Sequence, residues 1–413
     1  MIVKLKNLGP GILFAGAAIG VSHLVQSTRA GANFGLGLLW ALVLVNLFKY
    51  PFFQFGPRYV AATGESLLDG YKKLGKSVLM AYYIINIATM FTIQTAVTIV
   101  TAGLASNLFG DFKTFNVGSK TITSIEIWTV IILILCLFLL IVGKYKLLDR
   151  LMKLIIITLT ISTIAAVTFA LNTTTPISLN QVLPKNTIEI TFLIAFMGWM
   201  PAPLDVSVWQ SLWAIEKEQE IGKVNVKLAL FDFNVGYICT LILGIGFLLL
   251  GALVMFNSGE TFSNSASKFA SQLINMYANT LGSWAYVIIA IAAFTTMFST
   301  TLTTLDASPR TMAKTSQLLF KNKTLKMYNF WIVLLFIGTI FIFLFLASEM
   351  GLLIQIATVL SFITAPFYAI INYKLITGKH TPKKWQPNKG LRILSWCGII
   401  FLIGFSIWYL TTL

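Results

Sequence analysis

The chain has 413 residues, 57% of them hydrophobic and only 11% charged, yet its formal net charge is +16. A mean hydropathy of +0.83 excludes an ordinary soluble domain. The positive charge could suggest nucleic acid, but it sits in the loops between apolar runs, so it is a topology signal and no nucleic-acid partner is expected.

Apolar runs of about 20 residues recur along the chain, each long enough to cross a hydrocarbon core as a helix. The short alternating segments of a barrel are missing. The expected fold class is an all-α integral membrane protein with the lipid bilayer as its solvent. Reading runs against charged breaks predicts about eleven spans: residues 9–33, 35–60, 77–106, 126–143, 151–171, 188–213, 228–256, 281–304, 328–347, 350–373 and 392–411. No cleavable leader is expected, because the apolar stretch after Lys6 runs past Gly20 without a small-residue cleavage site. Residues 261–280, with Phe262, Phe269, Leu273 and Met276 among polar neighbours, read as an external amphipathic helix, and 307–320 as a short cytoplasmic helix after Asp306. No stretch reads as a separate soluble domain, so 1–413 is taken as one transmembrane domain.

Lys72, Lys73, Lys76, Lys144, Lys146, Arg150, Lys153, Lys217, Lys223, Lys227, Arg310, Lys314, Lys321, Lys323, Lys326, Lys379, Lys383, Lys384 and Lys389 fall on one side of this arrangement. Arg29, Lys113, Lys120, Lys185 and Lys268 fall on the other. Basic residues concentrate in cytoplasmic loops, so the expectation is a multi-pass plasma (inner) membrane protein with its N-terminus cytoplasmic and its C-terminus external. Cys136, Cys239 and Cys397 lie in separate apolar segments without metal or redox spacing. No cofactor is expected, and oligomeric state is not legible.

Two spans are interrupted. In the first, Gly16-Ala17-Ala18-Ile19-Gly20-Val21-Ser22-His23 puts glycines, a serine and a histidine at mid-membrane depth. In the sixth, Gly198-Trp199-Met200-Pro201-Ala202-Pro203 carries two prolines that remove amide donors. Spans one and six are equivalent if one to five are repeated inverted by six to ten, giving repeats of about 9–171 and 188–373 plus an extra helix at 392–411. A pair of interrupted segments in corresponding places points to a midplane binding site in a transporter. The alternative is two simple kinks. The candidate site is Ile19, Gly20, Val21, Ser22 and His23 with Met197, Met200, Ala202 and Asp205.

Gln26 and Ser27 follow His23 at i+3 and i+4, so the three make a polar lane. His23 either caps backbone or contacts substrate or a proton. Asp205, the carboxylate placed nearest the membrane centre, either complements a half-helix dipole or binds a cation or proton. Threonine strips in spans three and eight, including Thr95, Thr98 and Ser299, read as pathway walls, against the alternative that each bonds its own helix. Lys49 and Arg29 have stems long enough to snorkel or pair locally, and Arg29 could instead draw anions to an outer vestibule.

The run Leu8-Gly9-Pro10-Gly11 and then Gly31-Ala32-Asn33-Phe34-Gly35-Leu36-Gly37-Leu38-Leu39-Trp40 resembles the start of Nramp (natural resistance-associated macrophage protein) divalent-metal transporters. Met200-Pro201 looks like that family's Met-Pro-His motif, Ser299-Thr300 and Leu305 like its eighth span, and Ser361 with Pro366-Phe367 like its tenth. The resemblance implies a LeuT-like 5+5 inverted repeat and a secondary transporter of a small ion or solute. Where the family has Asp-Pro-Gly-Asn, this chain has Gly20-Val21-Ser22-His23, and Ala202 stands for the motif's histidine. The family's acidic proton-pathway residues of span three fall on Thr95 and Thr98. Divalent metal is the first substrate class the resemblance implies, with His23 and Met200 as ligands of a softer site. A small anion such as bicarbonate, or an amino-acid-like solute, is the alternative, and a non-transporting sensor a third. Neither paired acids nor His-Glu-x-x-His is present, so no enzyme is expected.

Overall fold

The computed structural model describes residues 9–117, 120–173, 178–256, 262–320, 324–346 and 350–412. Leu8, Lys321, Lys323 and the expected segment ends at 261 and 347 lie outside these residues, as do the side chains of Lys120, Lys144, Lys146, Arg150, Lys153 and Lys326.

The first span is broken as expected. Helix α1 (Pro10–Ala18) opens with proline in its first turn, where a missing amide costs nothing. It ends at Ile19-Gly20, and the chain resumes as a π-helical turn over Val21–Ser27 that leads into α2 (Thr28–Phe34). The second span is α3 (Leu39–Thr63). A short amphipathic helix α4 (Leu67–Leu74) follows, started by a capping box between Ser66 and Asp69. The third span is α5 (Lys76–Phe109), and a small hairpin of β1 (Phe115–Val117) and β2 (Lys120–Ile122) leads on to α6 (Ser124–Thr173). The backbone of α6 is helical through the stretch expected to be a loop at 144–150, which is rich in Lys, Leu and Arg, good helix formers.

Span six is broken into α7 (Thr187–Trp199) and α8 (Val206–Ile221). Then come α9 (Val226–Val254), the amphipathic α10 (Ala266–Leu281) and α11 (Ala285–Phe320). The separate helix expected at 307–320 is instead the end of α11, which runs through Asp306 and Pro309. Asp306 pairs with Arg310 one turn later, at 2.9 Å, which favours continuing the helix rather than ending it. The remaining spans are α12 (Thr324–Phe341), α13 (Met350–Thr377) and α14 (Lys389–Thr412). Among the described residues, eight helices are long and apolar enough to cross a membrane, and residues 157–171 of α6 and 187–199 of α7 are shorter apolar helical stretches. Outward-facing Ile134, Phe138, Ile291, Phe341, Ile400 and Ile407 are exposed, as lipid-facing side chains must be.

Glycines hold the broken first span to an unbroken helix. A Cβ on Gly11 would meet the Asp232 carbonyl, and one on Gly236 the Gly11 carbonyl; Gly31 and Gly251 stand in the same relation to Leu248 and Thr28. Small residues thus let α9 approach α1 at one end and α2 at the other, backbone to backbone. Asp232 of α9 also accepts from the amides of Gly9 and Gly11 at 3.0 and 2.7 Å, satisfying the open first turn of α1. Both halves are clamped and the segment between them spans the gap.

The lysine-rich end is tied by Arg310 to Glu216 at 3.2 Å, joining α11 to α8, and by Lys314 to Asp69 at 3.0 Å, joining α11 to α4. At the opposite end the Arg29 guanidinium donates to the Ser263 carbonyl at 2.5 Å and lies over the Phe269 ring, so its charge is used within the protein.

Candidate functional site

The two breaks meet. Between them lies a narrow cavity of about 20 Å³, walled on the first span by Ala17, Ala18, Val21 and Ser22 and on the sixth by Trp199, Ala202, Pro203, Val206 and Trp209. Ile93 and Val97 of α5 and Thr300 and Thr304 of α11 complete it. Of the expected site residues, Val21, Ser22 and Ala202 therefore share this wall. Thr95, Thr98 and Ser299 do not line it: each hydroxyl donates to its own helix, to Phe91, Gln94 and Thr296, at 2.7 Å. Their helices present neighbouring residues instead. Ser27 donates back to the Ser22 carbonyl at 3.2 Å, and Gln26 is buried.

Gly20 cannot carry a side chain here without displacement, because a Cβ would sit 2.8 Å from the Thr300 hydroxyl oxygen and 2.9 Å from its methyl. Thr300 packs into the break and reaches the carbonyls of Gly16 and Ile19 at 3.3 and 3.4 Å. Space that a ligating carboxylate would need is held by a neighbouring helix.

His23 is fully buried with both ring nitrogens engaged. Nδ1 lies 2.6 Å from the Ser22 hydroxyl and Nε2 3.0 Å from the Thr240 carbonyl. A neutral ring with the proton on Nε2 donates to Thr240, while Nδ1 and the Ala18 carbonyl, 3.1 Å apart, share the one Ser22 hydroxyl proton, each 2.6 Å from its oxygen. Neither lone pair nor proton is left facing the cavity. The Met200 sulfur and the His23 ring both border Gly244 of α9, and neither residue lines the cavity.

Lys49 was not singled out as a site residue, and it lies at the centre. Its side chain is wholly buried, and its ammonium donates to the carbonyls of Met197 and Gly198 at 2.7 Å, Met200 at 3.1 Å and Ala202 at 3.2 Å. These are the open carbonyls at the C-terminal end of α7, which that half-helix cannot satisfy itself. Depth was the available signal: Lys49 is ten residues past Leu39, about 15 Å along the helix, further than a lysine stem can snorkel.

Asp205 stands where α8 begins, 4% exposed, facing a second, smaller cavity that adjoins the first at Ile93 and Pro203. Its two oxygens make no hydrogen bond of normal geometry, although the amides of Asp205 and Val206 lie beside them.

Among the described residues no three His, Cys, Asp or Glu side chains gather as a metal site would require. The chain is 37% identical over 415 residues to an uncharacterised protein of Pasteurella multocida (strain Pm70), covering 98% of this chain and 92% of that one. Its fold is similar to a variant of the Eremococcus coleocola manganese transporter, with a TM-score of 0.70, 14% identity and coverage of 98% and 86% of the two chains. It is also similar to MhsT in complex with L-phenylalanine, with a TM-score of 0.60, 12% identity and coverage of 97% and 98%. Both matches support the LeuT-like arrangement expected from the paired interruptions. The family model for natural resistance-associated macrophage protein-like (Nramp) proteins matches residues 11–412, so the chain belongs to the Nramp-like family of membrane transporters.

Proposed function

We propose that this protein is a secondary transporter that carries a neutral or zwitterionic, amino-acid-like solute by alternating access around the two midplane breaks. The observation that carries this cargo class is the Lys49 ammonium bound by four carbonyls of the span-six break. The carbonyl end of a half-helix is where a cationic cargo gains most. Here a tethered cation already takes that place. Two unit charges 4 Å apart repel by about 4 kcal/mol at an effective dielectric near 20, and a divalent ion doubles the penalty.

The cavity favours the same class. Its walls are chiefly Ala, Val, Ile and Trp, which suit a hydrocarbon body better than a hydrated anion. Val21 and Ser22 open the second half of span one and line the cavity, so the first-turn amides of that half-helix lie beside the region where a carboxylate would sit, whereas those of α8 are already bonded to the carbonyls of Pro203, Leu204 and Asp205. Rocking of one helix bundle against the other would expose the cavity to either side. The lysine-rich end is assigned to the cytoplasm of a plasma-membrane protein by its charge.

A second reading, transport of a soft divalent metal, draws on the retained Met200 thioether beside His23 and on the manganese named for the Eremococcus relative. It requires His23 to leave Ser22 or Thr240. Uptake into proteoliposomes across Mn, Mg, bicarbonate and amino acids separates the two. Saturable uptake of an amino acid without metal flux is expected; saturable Mn uptake lost in Met200→Ala and His23→Ala would establish the metal reading instead.

A further inference from the structure

The smaller cavity beside Asp205 has a chemistry the transport site does not use. A pocket too narrow for a water molecule is bounded by Thr89 of α5, Asp205 at the start of α8, and Ser361, Thr364 and Tyr368 of α13. Asp205 is 4% exposed and Tyr368 2%; the Tyr368 hydroxyl has no hydrogen-bond partner, and the Asp205 carboxylate has beside it only the amides of Asp205 and Val206, at poor geometry. A carboxylate buried with so little hydrogen bonding is unfavourable unless something further compensates it.

The hydroxyls around it fix the sign of what compensates. Thr89 spends its proton on the Ile85 carbonyl at 3.0 Å and Thr364 on the Leu360 carbonyl at 3.0 Å. Ser361 donates to the Ala357 carbonyl at 2.8 Å while accepting from the Trp199 indole at 2.8 Å. With their protons committed to their own helices, these hydroxyls offer lone pairs. A wall of lone pairs around a carboxylate repels anions and solvates a cation.

All of these donors are oxygen, which suits a hard cation. One carboxylate balances one positive charge. Lys49 is the other charge that Asp205 senses, and its ammonium bonds only to carbonyls, so it does not consume the carboxylate but would repel a second unit of positive charge. Tyr71 and Tyr82 complete the ionisable surroundings and are neutral donors or acceptors at ordinary pH. We propose that Asp205, with Thr89, Ser361, Thr364 and Tyr368, forms a sodium-binding site next to the solute cavity. The shared wall at Ile93 and Pro203, and the place of Asp205 at the head of the moving half-helix α8, make this ion the coupling ion.

The test reads binding without relying on uptake. Thermal unfolding of the purified full chain is followed in sodium, potassium or choline chloride at constant ionic strength and pH. A ligand that binds the folded state raises its stability with concentration in a saturable way. Sodium alone is expected to do so, with its half-saturation weakened at least about tenfold in Asp205→Asn and more mildly in Thr364→Val, which keeps the shape while removing one oxygen. Equal midpoints in sodium and choline overturn the site. So does a sodium response that survives unchanged in both variants. If stability in choline instead follows pH and loses that dependence in Asp205→Asn, the group takes up a proton and the sodium site is wrong. Should Asp205→Asn fail to fold, Thr364→Val and the salt comparison on the unaltered chain still decide.

Discussion

Replacing Lys49 by methionine keeps the stem's volume and removes the ammonium. Three N–H groups serve four carbonyls, two of them at 2.7 Å, so three charge-assisted bonds are lost. At about 1.5 to 3 kcal/mol each, the gross loss is about 4.5 to 9 kcal/mol. Against it stands the desolvation of a buried ammonium, several kcal/mol, which the substitution relieves. The net expectation is a destabilisation of about 2 to 5 kcal/mol, because the exposed carbonyls of α7 find no other donor in an apolar setting. The assay is thermal unfolding in detergent together with chemical rescue: Lys49→Ala leaves room for a short alkylammonium ion, which should recover part of the lost stability where an uncharged alcohol of equal length does not. A Lys49→Met protein within about 0.5 kcal/mol of the original, the range of an indifferent surface change, would refute the claim that the break depends on this lysine.

Gly251→Val puts branched methyls where the Thr28 carbonyl already lies, and should cost at least about 1 to 3 kcal/mol in thermal unfolding, with a Gly404→Ala change far from any contact as the mild comparison. Gly20→Asp should be destabilising alone because of Thr300, and Gly20→Asp with Thr300→Ala should lose less than the sum of the two single changes. Strict additivity would show that Thr300 is not what fills the break. Arg310→Ala severs α11 from α8, so a cysteine placed at Val206 should be labelled several-fold faster from the lysine-rich side; an unchanged rate would remove the pair from gating. Calorimetry on the unaltered chain should show no Mn binding at micromolar concentrations, since both nitrogens of His23 are already bonded.

The membrane class, most spans and both interruptions were legible in the sequence because each is a local property. Span length follows from the hydrocarbon thickness, while Pro201 and Pro203 remove two amide donors within one turn and the Gly16–Gly20 stretch lowers helix propensity, whatever they pack against. The proposed orientation likewise rests on charge in the loops, which needs no tertiary contact to be read. Helix continuity was less local: the acid at Asp306 reads as a stop until its pairing with Arg310 and Tyr328 is seen to hold it within α11.

What only the tertiary structure decided is which polar group faces which. Thr95 and Thr98 look like pathway residues by composition, yet the rotation of α5 presents Ile93 and Val97 to the cavity. His23 reads as a ligand until the Thr240 carbonyl of another helix is found against its Nε2. Lys49 is an isolated charge in sequence, 148 residues from the nearest carbonyl it binds. No spacing rule encodes a partner that distant, because the encounter depends on how α3 and α7 pack. The sequence thus located the two breaks, and the packing decided that one of them is filled by a threonine and the other by a lysine.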